Sequence, residues 1–320
     1  MRHKRIFAAV LAALTCAVSL TGCGTPAGNS GAIQVVCTNF AEYDWVRQII
    51  AGQENLFDVT YLLENGVDIH NYQPSAADMA KITGSDLFIY VGGESEQWVE
   101  DAFANAADPN QQLVRLLDAV RPFEEETVEG MEAEEEGDAP AYDEHVWLSV
   151  RNAIECTNVI EGCITALDPS HAKEYNNNTS RYCDALKELD TAFSEARTQT
   201  AEPTLIVADR FPFRYFAEDY DYSYYAAFAG CAAETEASFE TIAFLSQKVD
   251  ALGAKTIFTI EGGNPAIAES VRDNTKTKDQ QIRTLNSLQS VTGEDIANGA
   301  TYLSLMQENL NVLKEAAAAQ

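Results

Sequence analysis

Two of the four histidines in this chain stand where an imidazole could hold a cation. His70 lies in Asp68-Ile69-His70-Asn71-Tyr72-Gln73-Pro74, after an expected strand and before an expected helix. His145 lies in Asp143-Glu144-His145-Val146-Trp147-Leu148, between an acidic stretch and another expected helix. In open α/β sheets, ligand-binding groups gather in loops beyond the carboxyl ends of strands, and both histidines fit that setting. A neutral imidazole nitrogen is a good donor to a borderline divalent ion at pH 7. His171 follows Asp168-Pro169-Ser170 in the first turn of a long helix, an exposed place, and is set aside. HExxH, GxSxG and CxxC patterns are all missing from the sequence, so an enzyme is not expected.

The elements that must position these histidines read as alternating strands and helices, the pattern of α/β units with parallel sheets. Strands are expected at 33–38, 57–63, 86–91 and 113–116, with helices at 43–51, 76–83 and 97–105. A second set places strands at 204–208, 224–228, 255–260 and 282–285, with helices at 213–219, 238–252, 265–275 and 293–317. Between the sets, a helical stretch from about 147 to 197 breaks only at Asp168-Pro169-Ser170. Its second part carries Tyr175, Thr179, Tyr182, Leu186, Leu189, Phe193 and Ala196, one continuous apolar stripe at helical spacing. The expected organisation is an N-terminal lobe over 33–148, linking helices over 149–200 and a C-terminal lobe over 201–320.

At the N-terminus, Arg2, His3, Lys4 and Arg5 precede an apolar run from Ile6 to Leu20. That run is about 15 residues, short of the roughly 20 that span a bilayer. Leu20-Thr21-Gly22-Cys23 then gives the small residues of a signal cut followed by a cysteine. The tetrapeptide resembles the lipobox of bacterial lipoproteins. Residues 1–22 are therefore expected to be a signal peptide, Cys23 the lipidated residue and 23–32 a flexible tether. The chain is expected outside the cytoplasm, anchored to the bacterial membrane by lipid.

The sequence has 21 basic and 50 acidic residues, a net charge of −29. Such a chain repels nucleic acid and anionic lipid and attracts cations. Nine of the acidic residues fall between Glu124 and Asp138 with almost no apolar side chains, which predicts a mobile, solvated loop ending seven residues before His145. Beyond Cys16 and Cys23 there are Cys37, Cys156, Cys163, Cys183 and Cys231. Their odd number and wide spacing give no disulfide framework, and most read as small buried apolar residues.

The two histidine segments, extended to Asp68–Asp78 and Asp143–Ser149, closely resemble motifs of the zinc- and manganese-binding lipoproteins that serve ABC importers, the cluster A-I type. The resemblance runs in order through the charged loop, the helical strut and the ending Tyr302-Leu303-Ser304-Leu305-Met306-Gln307-Glu308-Asn309-Leu310. It implies two α/β lobes bridged by one long helix, with metal held in the cleft between them by two ligands from each lobe. His70 and His145 match the first lobe's pair.

The second lobe departs from the pattern. Where the resemblance places a His or Glu before an aromatic-x-aromatic step, the segment is Asp209-Arg210-Phe211-Pro212-Phe213-Arg214-Tyr215. Arg210 falls at the ligand position, and a guanidinium cannot coordinate a cation. Asp209 is the expected replacement, with Arg210 alternatively holding a carboxylate ligand from behind. Glu261, before Gly262-Gly263, is the expected fourth ligand, and Glu234 or Glu236 an alternative. Histidine plus carboxylate suits zinc or manganese, with zinc favoured.

The resulting expectation is a monomeric binding protein that hands a divalent metal to ABC permease subunits. Two other readings stay open: an adhesin or structural lipoprotein with a degenerate metal site, and a metal-dependent hydrolase.

Overall fold

The protein is seen in a computed structural model that describes residues 31–103, 109–132, 141–232 and 236–319. The signal, Cys23 and all but the last two residues of the tether lie outside the described residues. So do Glu234 and the part of the acidic stretch beyond Glu132.

Short apolar runs become strands because an interior parallel strand is covered on both faces and needs no polar side. In Thr256–Ile260 all five residues are buried. The first sheet has order β2-β1-β3-β4, formed by Phe57–Tyr61, Ile33–Cys37, Leu87–Tyr90 and Gln112–Arg115. The second has order β6-β5-β7-β8, formed by Ser223–Ala229, Thr204–Phe211, Thr256–Ile260 and Gln281–Leu285. Every strand pairing is parallel. In each sheet the order reverses beside its first strand, between β1 and β3 and between β5 and β7. A crevice opens at such a reversal, and ligands lodge there in open α/β sheets.

Helices 150–167 and 172–198 join the lobes, broken by a 3₁₀ turn at Pro169–His171. Asp168 caps the break by accepting from Ser170 N at 3.2 Å. The expected stripe on the second helix is buried from Tyr175 to Ala196. One continuous apolar cluster takes in Val35 and Trp45 of the first lobe, Phe193 of the strut and Val207 and Ile260 of the second lobe. Polar ties cross the same boundary. Trp147 Nε1 donates to the Ser287 carbonyl at 2.9 Å, and Tyr61 Oη to that of Val291 at 3.0 Å. The α/β, two-sheet reading with a bridging long helix holds.

Three local expectations change. The expected helix 293–317 is two helices, Gly293–Ala297 and Tyr302–Ala318. Asn298-Gly299 breaks it, with Gly299 at φ +99°, and Thr301 restarts it through a capping box with Ser304.

Strand β5 runs through Asp209 and Arg210 to Phe211, beyond its expected end at 208, with a register irregularity between Val207 and Arg210. The described part of the acidic stretch is also not a free loop. Glu125 N donates to the Ala141 carbonyl at 2.9 Å, and Glu132 N to that of Ala227 at 2.9 Å. Glu126 pairs with Arg214 at 3.0 Å and Glu129 with Lys248 at 3.1 Å. Second-lobe cations and amides supply these carboxylates with partners that composition could not show.

Candidate metal centre

Each histidine is aimed by the residue two places before it. Asp68 Oδ1 accepts from His70 N at 3.0 Å, and Asp143 Oδ1 from His145 N at 2.8 Å. Both are Asx turns, in which a short carboxylate takes the amide that a turn would leave unpaired. The two segments share an Asp-x-His spacing that fits this geometry.

The two rings meet in the cleft. His70 Nε2 and His145 Nε2 are 3.1 Å apart. The far nitrogens are engaged elsewhere, His70 Nδ1 with Ser95 Oγ at 2.8 Å and His145 Nδ1 with Asp143 Oδ1 at 3.1 Å. Engaging one ring nitrogen in this way sets the tautomer and frees the other as donor.

Burial, then the charge of His145, lowers the His70 pKa to about 3, so its ring is neutral. Burial also works against charge on His145, but Asp143, with its hydrogen bond, and Glu144 outweigh it and raise that pKa. Beside them Glu144 is buried, with Oε1 accepting from Ser95 N at 2.7 Å. Its Oε2 has no hydrogen-bond partner and lies 3.5 Å from His70 Nδ1.

Tetrahedral zinc with nitrogens about 2.0–2.1 Å away holds two of them roughly 3.3 Å apart. The observed 3.1 Å is within a few tenths of that spacing. The pair fits a tetrahedral divalent ion with little movement.

Among the described residues, one group of three His, Cys, Asp or Glu side chains has ligand atoms all within 4.8 Å of one another: His70, His145 and Cys231. The structure brings neither Asp209 nor Glu261 into that group. Asp209 is buried, and it accepts from Arg210 N at 2.9 Å and Ile260 N at 3.4 Å. Gly263 packs so closely on this carboxylate that a Cβ there would sit 1.9 Å from Oδ2. Glu261 accepts from Ser287 N at 2.6 Å, Ser287 Oγ at 2.7 Å and Gln289 N at 3.2 Å. It borders a separate cavity with Asn286 and Asp295. Burial raises the pKa of both carboxyls. In these places they organise the strand ends of β5, β7 and β8. Glu236 is exposed.

Arg210 holds a carboxylate, as one expectation had it, but that of Asp68 across the cleft. The Nη2–Oδ2 separation is 2.5 Å, with both side chains about five-sixths buried. Arg210 and His70 outweigh the effect of burial and lower the Asp68 pKa. The same Asp68 therefore turns His70 with one oxygen and ties the second lobe with the other.

Sequence reasoning missed Cys231, which stands just past β6 and was grouped with the inert thiols. Its backbone N–H donates to Glu125 Oε1 at 2.7 Å. With His70, Glu94, Ser95, Glu125 and Glu144 it lines a cavity of about 240 Å³. Burial and the carboxylates of Asp143, Glu125 and Glu144 push its thiol pKa up. Among the described residues the other four cysteines are also free, and three of them are buried.

The family model described as zinc-uptake complex component A, periplasmic, matches residues 35–316. The zinc-binding lipoprotein AdcA of Streptococcus pneumoniae is 29% identical over 310 residues, 96% of this chain and 60% of that protein. The chain thus spans about 60% of the length of that curated relative. The high-affinity zinc uptake system protein ZnuA of Bacillus subtilis is 27% identical over 313 residues, 94% of each chain. The crystal structure of the Zn(II)-bound ZnuA-like domain of the pneumococcal AdcA superposes with a TM-score of 0.72 at 26% identity, covering 90% of this chain and 99% of that one. A match over nearly the whole described chain, on the two-lobed fold just described, makes this protein a member of the ZnuA family of zinc-uptake solute-binding proteins.

Proposed function

We propose that this chain captures a divalent transition metal outside the cytoplasm and delivers it to an ABC importer. Zinc is the favoured cargo and manganese the alternative, with His70 and His145 as ligands. One observation carries the reading: two Nε2 atoms 3.1 Å apart, on rings whose other nitrogens are occupied by Ser95 and Asp143. That spacing and those tautomers suit a shared cation. The relatives named for zinc binding and zinc uptake support the choice of ion. Burial disfavours a protonated His70, which suits metal coordination at neutral pH.

A capture protein performs no turnover, and its partners are permease subunits. Anchoring through lipid on Cys23 would keep it beside them, in line with the pneumococcal relative being named a lipoprotein. Asp209 and Glu261 act as scaffold for the second lobe, with Arg210 as the cross-cleft tie to Asp68.

The test is metal analysis of untagged protein with zinc and manganese titrations on wild type, His70→Ala and His145→Ala. Stoichiometric zinc, lost in both variants, is the expected result. Substoichiometric metal unaffected by either change refutes the reading.

A further inference from the structure

Resting on the metal-capture reading, we propose that Cys231 is the second lobe's ligand. The cargo is then held by two imidazoles and one thiolate, and the site selects zinc over manganese.

The cluster itself is the first ground. The Cys231 sulfur and a ring nitrogen from each histidine all lie within 4.8 Å of one another. Tetrahedral zinc, with Zn–S about 2.3 Å and Zn–N about 2.0–2.1 Å, needs a sulfur–nitrogen spacing of roughly 3.6 Å. An approach of about 1 Å by the second-lobe turn, the scale of a small lobe closure, completes the set.

The turn is built for that approach. Gly230 precedes Cys231, and a Cβ there would lie 2.9 Å from the Phe211 carbonyl and 3.2 Å from Nδ1 and Cε1 of His145. Only glycine lets the β6 end come so near the ring. The Cys231 amide is fixed by Glu125 Oε1 at 2.7 Å, so the sulfur is held at the cavity wall it shares with His70.

Arg210, Asp209 and Glu261 of the second lobe are committed elsewhere. Arg210 has no lone pair to give and is tied to Asp68. Asp209 and Glu261 are engaged by amides and a hydroxyl within their own lobe.

On binding, the thiol S–H bond breaks as the S–Zn bond forms, and its proton passes to water. The ion and ligands then carry one positive charge fewer than Zn²⁺ on neutral donors. Thiolate is a soft donor that zinc accepts readily, whereas manganese prefers oxygen.

The experiment is zinc K-edge X-ray absorption on the full chain loaded with one equivalent of zinc, with zinc and manganese titrations of wild type and Cys231→Ser. The wild type is expected to show a sulfur neighbour at about 2.3 Å beside nitrogen at about 2.0–2.1 Å. In Cys231→Ser the sulfur neighbour disappears and zinc binds about 100-fold or more weakly, beyond what partners outside the coordination sphere cost. Manganese affinity stays unchanged. Stoichiometric zinc with a purely nitrogen and oxygen shell in the wild type overturns the thiolate and leaves metal capture standing. Failure of the wild type to hold zinc at all overturns both. The wild-type spectrum decides the matter even if the serine variant does not fold.

Discussion

Replacing Asp143 by Asn isolates the charge that orients His145. The carboxylate is 1% exposed and accepts from the His145 amide at 2.8 Å and from its ring Nδ1 at 3.1 Å. Asparagine keeps an oxygen for the amide, so the turn survives, but the ring loses a charge-assisted hydrogen bond. Bonds to charged groups contribute about 1.5–3 kcal/mol. At about 1.4 kcal/mol per tenfold, and with part of that loss falling on folding, zinc affinity should drop roughly 10–100-fold.

Stability should change by no more than about 1 kcal/mol, because removing a buried charge offsets part of the lost bond. The neighbouring Glu144→Gln is the comparison: a glutamine oxygen still accepts from Ser95 N, and Glu144 makes no hydrogen bond to the His145 ring, so the effect on zinc affinity should be the smaller of the two. Competition against a chromophoric zinc chelator at neutral pH reads both variants, with thermal melts to check the fold. Equal effects for the two variants, or an unchanged affinity for Asp143→Asn, would show that the reasoning from His145 orientation is wrong.

Arg210→Met should lower stability by ~1–2 kcal/mol, between the values for exposed and fully buried ion pairs, seen as a melting point a few degrees lower; an unchanged melt would mean the pair ties nothing. Glu96 is buried and its pKa is raised to about 7, mainly by burial, so the folded state holds a proton that the unfolded state releases near 4.5. Its contribution is therefore full below about pH 4.5 and is lost as pH rises through about 7. Glu96→Gln should flatten the fall in stability between about pH 5 and 8, measured by urea unfolding, and an unaltered slope would point to another group. Changing Glu134, Glu135, Glu136 and Asp138 to amides should slow zinc association at low salt and leave Kd nearly unchanged, because negative charge outside the ligand set attracts a cation on approach more than it holds it. Stopped-flow traces with a normal on-rate and a weakened Kd would contradict that.

The strands and the strut were legible because their signals are local: apolar runs bounded by turns, and a helical stripe from Tyr175 to Ala196. His70 and His145 were legible because each sits in a loop beside an expected element, in a short segment that resembles a family motif. The second lobe's part was not, for a physical reason. Whether Asp209 faces a cleft or a strand end depends on where β5 stops, and β5 continues three residues past its expected end through an irregular register. Whether Glu261 is free depends on Ser287 and Gln289, more than twenty residues away. Cys231 resembles any other buried thiol until Gly230 and the β6 end place it against His145. The acidic stretch misled for the same reason, since Arg214, Lys248 and the Ala227 carbonyl that hold it lie about ninety to one hundred and twenty residues onward.

Under the proposed capture reading, these placements bear on how one chain could both hold and release its cargo. A cleft lined by four free carboxylates, in a chain of net charge −29, would hold several cations loosely. Here Asp209 and Glu261 of the second lobe are engaged by amides, while Asp68 in the first lobe is neutralised by Arg210. Among the described residues, the side chains grouped closely enough to share one ion are two imidazoles and one thiol, with the unpartnered oxygen of Glu144 beside them. On the proposed thiolate reading such a set favours one ion of defined geometry, and a shift of the Cys231 turn by an ångström or two would remove the sulfur while the histidines stay together. The Arg210–Asp68 tie crosses the same gap and would have to stretch in the same movement. On the proposed capture reading, any partner contact that draws the Cys231 turn away from the two histidines would favour release.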